Sequence, residues 1–355
     1  MTLNANVNQD KQNDLFLYDT LHLKPIPYPT TELESNEITM VRDLRDILRF
    51  EIKSHFFSTY PYYVNHESSK RAIRNHQSGN CIALSYGLQS RLKQRGYSSY
   101  LIPASVPKKY RMHDYSEFPI CHVAVCVVID SFKRYILDPA FYFVSPLEVK
   151  LGARTDNIDI YNKESYNQHA PTLKTLVCRE IKKESVQNKS RKIEYDVARV
   201  SYDDHTAGEM WDYHLVNILN PDSSIGLKYL HMKKEAFLCI MGKNMVMKCM
   251  VKQKIPGGVT LMENGEYNTY EGVNAIPKEV KKRFEDFYGM KKYLDWSHCE
   301  KFEKMYQDQG VFNSLRLEFK GGGGGRRTRN NRRKPINRTF RNTFRNTFRK
   351  SGSKD

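Results

Sequence analysis

The chain has 355 residues, 39% of them hydrophobic and 12% aromatic, enough to build packed layers around a sizeable core. No apolar run approaches the ~18 residues of a membrane-spanning helix, and the polar start MTLNANVNQDKQND lacks the apolar stretch of a secretory signal, so neither is expected. The formal charge of +17 is unevenly spread: from Gly321 onward there are twelve Arg or Lys against one Asp, +11, which leaves +6 for the preceding 320 residues.

Residues 1–14 read as a disordered lead. In residues 15–35, Pro25, Pro27 and Pro29 forbid a helix and favour extended chain. Met40, Leu44, Ile47 and Leu48 recur at helical spacing and predict a helix from Thr39 to about His55. The aromatic run FFSTYPYYV is expected to be buried and to be broken by Pro61. CIALSYGLQSRLKQRGY carries Leu84, Leu88 and Leu92 at i, i+4, i+8, a helix with Gly96 as its stop and Ser78 or Asn80 as its cap. A strand, SSYLIPASV, and a polar loop, PKKYRMHDYSEF, follow.

HVAVCVVID and KRYILD then predict an antiparallel hairpin. With its centre at Asp130, His122 and Asp138 fall opposite each other on one face, whereas a one-residue slip would separate them. Residues 150–195 are polar and read as irregular. Residues 196–275 predict several strands in a small sheet or barrel, punctuated by Asn220-Pro221-Asp222, Gly242-Lys243-Asn244 and Pro256-Gly257-Gly258. IPKEVKKRFEDFYGM returns to helix.

These elements divide the chain into a lead (1–14), an N-terminal helical part (15–110), a β part (111–200), a second β region with a closing helix (201–320), and a linker with a basic tail (321–355). The fold class is α+β.

Seven cysteines, at 81, 121, 126, 178, 239, 249 and 299, form no C-x-x-C pair. An odd count without a signal peptide predicts a reducing, intracellular setting, with cytoplasm, nucleus and virion all open, and no disulfide. No metal site is expected, since Cys121, His122 and Cys126 lack zinc-ligand spacing. Cys126 shares the strand parity of His122 and reads as a small core residue.

Three residues stand in settings that suit catalysis. Cys81 opens a helix after Gly79-Asn80, His122 opens a strand, and Asp138 closes the next strand before Pro139. A thiol becomes a good nucleophile when ionised, which a helix N-terminus and a nearby imidazolium both favour. His122 would be that imidazolium and the proton donor; Asp138 would hold its tautomer. The N–H of Cys81 would help form an oxyanion hole, with Gln77 or Asn80 as side-chain donors. Taken singly, each member has a plainer reading: a small buried Cys, a core His, a turn Asp. Their order and spacing, 41 and 16 residues, favour the joint one.

SGNCIALSYGLQSRLKQRGYSSYLIPASV followed by HVAVCVVIDSFKRYILDPAF resembles the arylamine N-acetyltransferases and their relatives, the transglutaminase-like cysteine enzymes. The resemblance covers residues 36–145 and extends weakly over 200–290. It implies a cysteine-proteinase-like fold and a ping-pong reaction. Cys81 would take an acyl group from acetyl-coenzyme A, or another acyl-coenzyme A, and pass it to a small-molecule amine. Gln77-Ser78-Gly79-Asn80 stands where the acetyltransferases carry Arg-Gly-Gly. Pro139-Ala140-Phe141-Tyr142 replaces their Val-Gly-Phe-Gly, and Asp138-Pro139 is closer to the transglutaminase type. An amidase, deamidase or cysteine peptidase is therefore the alternative. A degenerate scaffold with a nucleic-acid-binding tail is a further one.

The tail follows a five-glycine linker, Gly321 to Gly325, and repeats FRNTFRNTFRK. Its cations Arg326, Arg327, Arg329, Arg332, Arg333, Lys334, Arg338, Arg341, Arg345 and Arg349 suit phosphates of nucleic acid, with phenylalanines stacking on bases. An anionic membrane surface, a nuclear address and a merely solvated tail stay open. In style it resembles tails of proteins from large DNA viruses.

Overall fold

The computed structural model describes residues 23–27, 37–105, 122–161, 173–188, 191–202, 210–223, 235–242, 247–255 and 257–307. The lead, the polar loop PKKYRMHDYSEF, and the linker and basic tail, with their predicted properties, lie outside the described residues.

Helix α1 (Glu37–Ser54) buries Met40, Leu44, Ile47 and Leu48, the face its spacing predicts. A short strand β2 (Phe56–Ser58) follows, and then α2 (Tyr60–Val64), which Pro61 starts rather than breaks. In a first turn the missing N–H of proline costs nothing, because that N–H has no intrahelical partner. Helix α3 (Ser69–His76) is capped by the Ser68 hydroxyl and was not expected. Strand β3 (Ser78–Gly79) leads into α4 (Cys81–Gln94).

Leu84, Leu88 and Leu92 of α4 are all buried, each contributing about 1.5–3 kcal/mol. Gly96 ends the helix at φ 86°; its N–H bonds the Lys93 carbonyl, and the Tyr97 N–H bonds that of Leu92. This left-handed stop suits glycine because no Cβ meets the carbonyl.

The larger sheet has eight antiparallel strands: β4 (Ser99–Ser105), β5 (His122–Val128), β6 (Lys133–Leu137), β7 (Leu147–Lys150), β8 (Thr155–Tyr161), β9 (Leu173–Asn188), β10 (Arg191–Tyr202) and β11 (Met210–His214). Their order is β7-β6-β5-β4-β11-β10-β9-β8. The edge strands β7 and β8 are joined through one short turn, and the Thr155 hydroxyl bonds the Glu148 carbonyl. One face gathers Ile102, Ala104, Ala124, Cys126, Ile136, Ala198, Val200 and Trp211. The other, with Val123, Val125 and Val127, belongs to the core that includes Leu88 and Leu92 of α4.

Strands β8 to β10 replace the irregular structure expected for 150–195. That stretch reads as polar because few apolar residues are needed where one face of a ribbon meets solvent. On β10, Ile193, Tyr195 and Val197 are buried while Lys192 and Glu194 are exposed.

A second, six-stranded sheet runs β16-β15-β14-β13-β2-β3. It adds β13 (Glu235–Met241), β14 (Met247–Lys254), β15 (Gly258–Glu263) and β16 (Glu266–Tyr270). The region 196–275 therefore does not make one sheet: β10 and β11 join the first, β13 to β16 the second. Leu23 and Lys24 (β1) pair with Ile218 and Asn217 (β12). Helices α5 (Lys278–Asp286) and α6 (Trp296–Gln307) close the described chain, α6 being unexpected. Among the described residues, no helix is long and apolar enough to cross a membrane, and no group of three or more His, Cys, Asp or Glu is placed to hold a metal.

Candidate active site

The two sheets meet at Cys81. Its helix follows β3, at the edge of the second sheet, while His122 begins β5 in the first. Asn80 caps the helix: its Oδ1 accepts from the N–H groups of Ile82 (3.1 Å) and Ala83 (3.2 Å). The same oxygen lies 2.7 Å from the Tyr62 hydroxyl and 3.3 Å from that of Ser69, and the Asn80 N–H donates to Tyr62 Oη at 3.0 Å. This buried network pins the helix start to α2 and α3. Gly79 admits it, since a Cβ there would lie 2.3 Å from Ala83 Cβ and 2.9 Å from Tyr62 Oη. One turn into α4, the Ser85 hydroxyl donates to the Val123 carbonyl at 3.0 Å, tying the helix to the residue after His122.

His122 Nε2 and Asp138 Oδ2 are 2.7 Å apart, both side chains buried. The Tyr213 hydroxyl donates to the same carboxylate oxygen at 2.9 Å, and the Phe141 N–H donates to Oδ1 at 3.2 Å. Asp138 thus has three donors around it. The His122 ring meets the Phe141 ring edge-on, with centroids 4.8 Å apart. The Cys81 side chain is the other group that acts on the His122 imidazole. Burial works to lower the His122 pKa, but the Asp138 carboxylate, then Cys81, and hydrogen bonds to both outweigh it and raise the pKa to about 10. A neighbouring opposite charge stabilises the imidazolium more strongly where the local dielectric is low.

The register corrects the expected hairpin. Val125 pairs with Leu137 and Val127 with Tyr135, so the centre is Ser131 rather than Asp130. Asp130 Oδ1 accepts from the N–H groups of Phe132 and Lys133, both at 2.6 Å, and this side-chain turn moves the centre by one residue. His122 and Asp138 are consequently diagonal neighbours instead of directly opposite, a two-residue offset that preserves the shared face.

Tyr213 was missed by sequence reading, being 75 residues from Asp138. Ala104 pairs directly with both His122 and Tyr213, so all three share one face, and the small Ala104 leaves room for the Tyr213 ring to span toward Asp138. The turn after Asp138 carries Tyr142 at φ 54°, a left-handed conformation that is unusual for a residue with a Cβ.

Of the two side-chain oxyanion candidates, Asn80 is buried with its oxygen in the helix cap, and Gln77 is the exposed left-handed cap of α3. Cys126 is a buried core residue whose thiol is pushed up to about 12 by burial.

No family model matches the chain, and no curated protein matches it. Solved structures similar to it include the arylamine N-acetyltransferase from Mycobacterium abscessus, at 12% identity and TM-score 0.43, covering 87% of this chain and 100% of that one. Another is the (BACCR)NAT3 arylamine N-acetyltransferase from Bacillus cereus with its Cys-His-Glu triad, at 11% identity and TM-score 0.42, covering 79% and 98%. A third is the Mycobacterium marinum arylamine N-acetyltransferase in complex with CoA, at 11% identity and TM-score 0.44, covering 82% and 99%. Likenesses at this level of identity and TM-score assign no residue roles.

Proposed function

We propose that this chain is a thiol-dependent acyltransferase of the arylamine N-acetyltransferase type, working through an acyl group on Cys81. The observation that carries the reading is the buried His122–Asp138 pair, 2.7 Å apart, with Cys81 among the groups that raise the His122 pKa. The Cys81 thiolate attacks the acyl carbonyl of a thioester such as acetyl-coenzyme A. The Cys81 N–H lies outside the Asn80 cap and is available to the developing oxyanion. His122 gives its proton to the leaving thiolate. In the second half-reaction the amine attacks the acyl-cysteine, His122 takes the amine proton, and Cys81 leaves as thiolate. Asp138 stabilises the imidazolium throughout and, with Tyr213, fixes its ring.

Incubating the chain with acetyl-coenzyme A and no amine is expected to leave one acetyl group on Cys81, located by peptide mass spectrometry, and an added arylamine is expected to remove it. An unmodified Cys81 rejects this reading. The Asp138-Pro139 step, with bulky Tyr142 in the following turn, favours a second reading in which the same triad hydrolyses a carboxamide. Ammonia release from amide substrates that depends on Cys81, with no acetyl adduct, would select it.

The tail enters the proposal as a separate anion-binding segment carrying most of the net charge. Deleting 321–355 is expected to leave Cys81 chemistry intact. It should also remove a nucleic-acid affinity that, in the full chain, falls about 10³-fold between roughly 50 and 200 mM salt. Salt-sensitive binding that survives the deletion would place that affinity on the folded body.

A further inference from the structure

Between α3 and α4 lies an open cleft of about 540 Å³. Lys70 and Arg74 line it from α3, Arg91 and Lys93 from α4, and His55 from the end of α1; no carboxylate is among the lining residues. For a body with a formal charge of only +6, four permanent cations in one concave site are a marked concentration. A cleft of one sign focuses its field on whatever enters.

The floor is built rather than incidental. Glu51 is fully buried, its Oε1 2.6 Å from His55 Nδ1 and its Oε2 accepting from Arg91 Nε at 3.2 Å. A Cβ on residue 87 would stand 2.2 Å from Glu51 Oε1, so Gly87 is what lets the carboxylate reach this place. Arg91 also lies over the Phe50 ring at 4.1 Å. Arg74 Nε donates to Oδ1 of the adjacent, exposed Asn75 at 3.3 Å. In both arginines a protein acceptor takes Nε and leaves the paired terminal nitrogens for a ligand, the fork that matches phosphate oxygens. Tyr86, under the Lys70 ammonium at 4.8 Å, forms one end of the cleft, where Asp222 is the nearby opposing charge.

We infer that this cleft binds a small polyphosphate-bearing molecule, held by Arg74 and Arg91 with Lys70 and Lys93 at its rim. Arg91 already shares its charge with Glu51, and one ligand carboxylate would still leave most of Lys70, Arg74 and Lys93 unmatched, whereas two or more linked phosphates engage them together. The volume suits a small molecule, and the position places the ligand along the helix that Cys81 opens, about one and a half to three and a half turns from the thiol. The inference does not depend on the acyl-transfer reading, because binding here is read without turnover.

The test is lysine footprinting of the full chain by reductive methylation and mass spectrometry, with inorganic pyrophosphate as the probe. Pyrophosphate is expected to protect Lys70 and Lys93 saturably while leaving the exposed Lys53 and Lys278 unchanged. Arg74→Glu, at an exposed position, is expected to raise the concentration needed to protect Lys93 by about tenfold or more. Lys70→Gln, read at Lys93, gives a second variant should the first fail to fold. Absence of protection overturns the inference. So does equal protection by chloride at matched ionic strength, or protection unchanged in both variants. A single-stranded oligonucleotide that protects the two lysines at lower concentration than pyrophosphate would also overturn it, in favour of nucleic acid.

Discussion

Replacing His122 with glutamine is expected to slow alkylation of Cys81 by iodoacetamide roughly a hundredfold at about pH 7, the scale of a lost acid–base partner. Comparing Cys81 with the other cysteines is not the sharpest test. Among the described residues, Cys81 is half-buried and the remaining cysteines are buried. Burial is the main cause that pushes the thiols of Cys126 and Cys299 up to about 12 and that of Cys178 to about 11. Slow labelling of those sites therefore reports access and desolvation. The His122 substitution reports the ion pair. His122 is cationic up to about pH 10, and an adjacent imidazolium favours a thiolate, so the difference between wild type and variant is expected to persist across the neutral range. Equal labelling rates in the two proteins would remove the case for a thiolate–imidazolium pair.

Asp138→Asn is expected to lower acyl transfer by about 10³–10⁴-fold, because an amide neither stabilises the imidazolium nor enforces its tautomer. The sign of the accompanying pH change follows from the forces on His122. Burial lowers its pKa, and Asp138 is the largest opposing influence. Without that carboxylate, burial is opposed mainly by Cys81, so His122 loses its proton at a lower pH. The alkaline limb of the activity profile should then move from about pH 10 toward neutrality. Tyr213→Phe removes one of three donors to Asp138. It is expected to cost about tenfold, as for one hydrogen bond to a charged group, with a smaller movement of the same limb. Equal activity in Asp138→Asn and wild type, or a profile that does not move, would sink the assigned role of the carboxylate.

Local patterns carried much of this. The Leu84, Leu88 and Leu92 stripe announces α4 and, with Gly96, its end, because a helix repeats over a few residues and its stop needs a left-handed backbone. Alternation in HVAVCVVID and RYILD likewise announces β5 and β6 and places His122 and Asp138 on one face. Even an error of one residue in the hairpin centre preserved that parity, since it displaced the pairing by two.

What the chain could not disclose locally is what holds the site in place. Tyr213 reaches Asp138 only because β11 pairs with β4, and Tyr62 and Ser69 clamp Asn80 only because α2 and α3 pack beside β3. The cleft floor needs Glu51 of α1 against Gly87 of α4. These partners are 11 to 75 residues apart. Residue type says that a tyrosine or a buried glutamate will seek a partner, but not which one. Hydrogen bonding and charge pairing act over a few ångströms, so the partner is chosen by the packing of helices and sheets. The sequence by itself determined the elements and the order of Cys81, His122 and Asp138. Tertiary structure alone decided what surrounds His122, because Asp138, Tyr213 and the helix that Cys81 opens come from separate elements that meet only in the packed molecule.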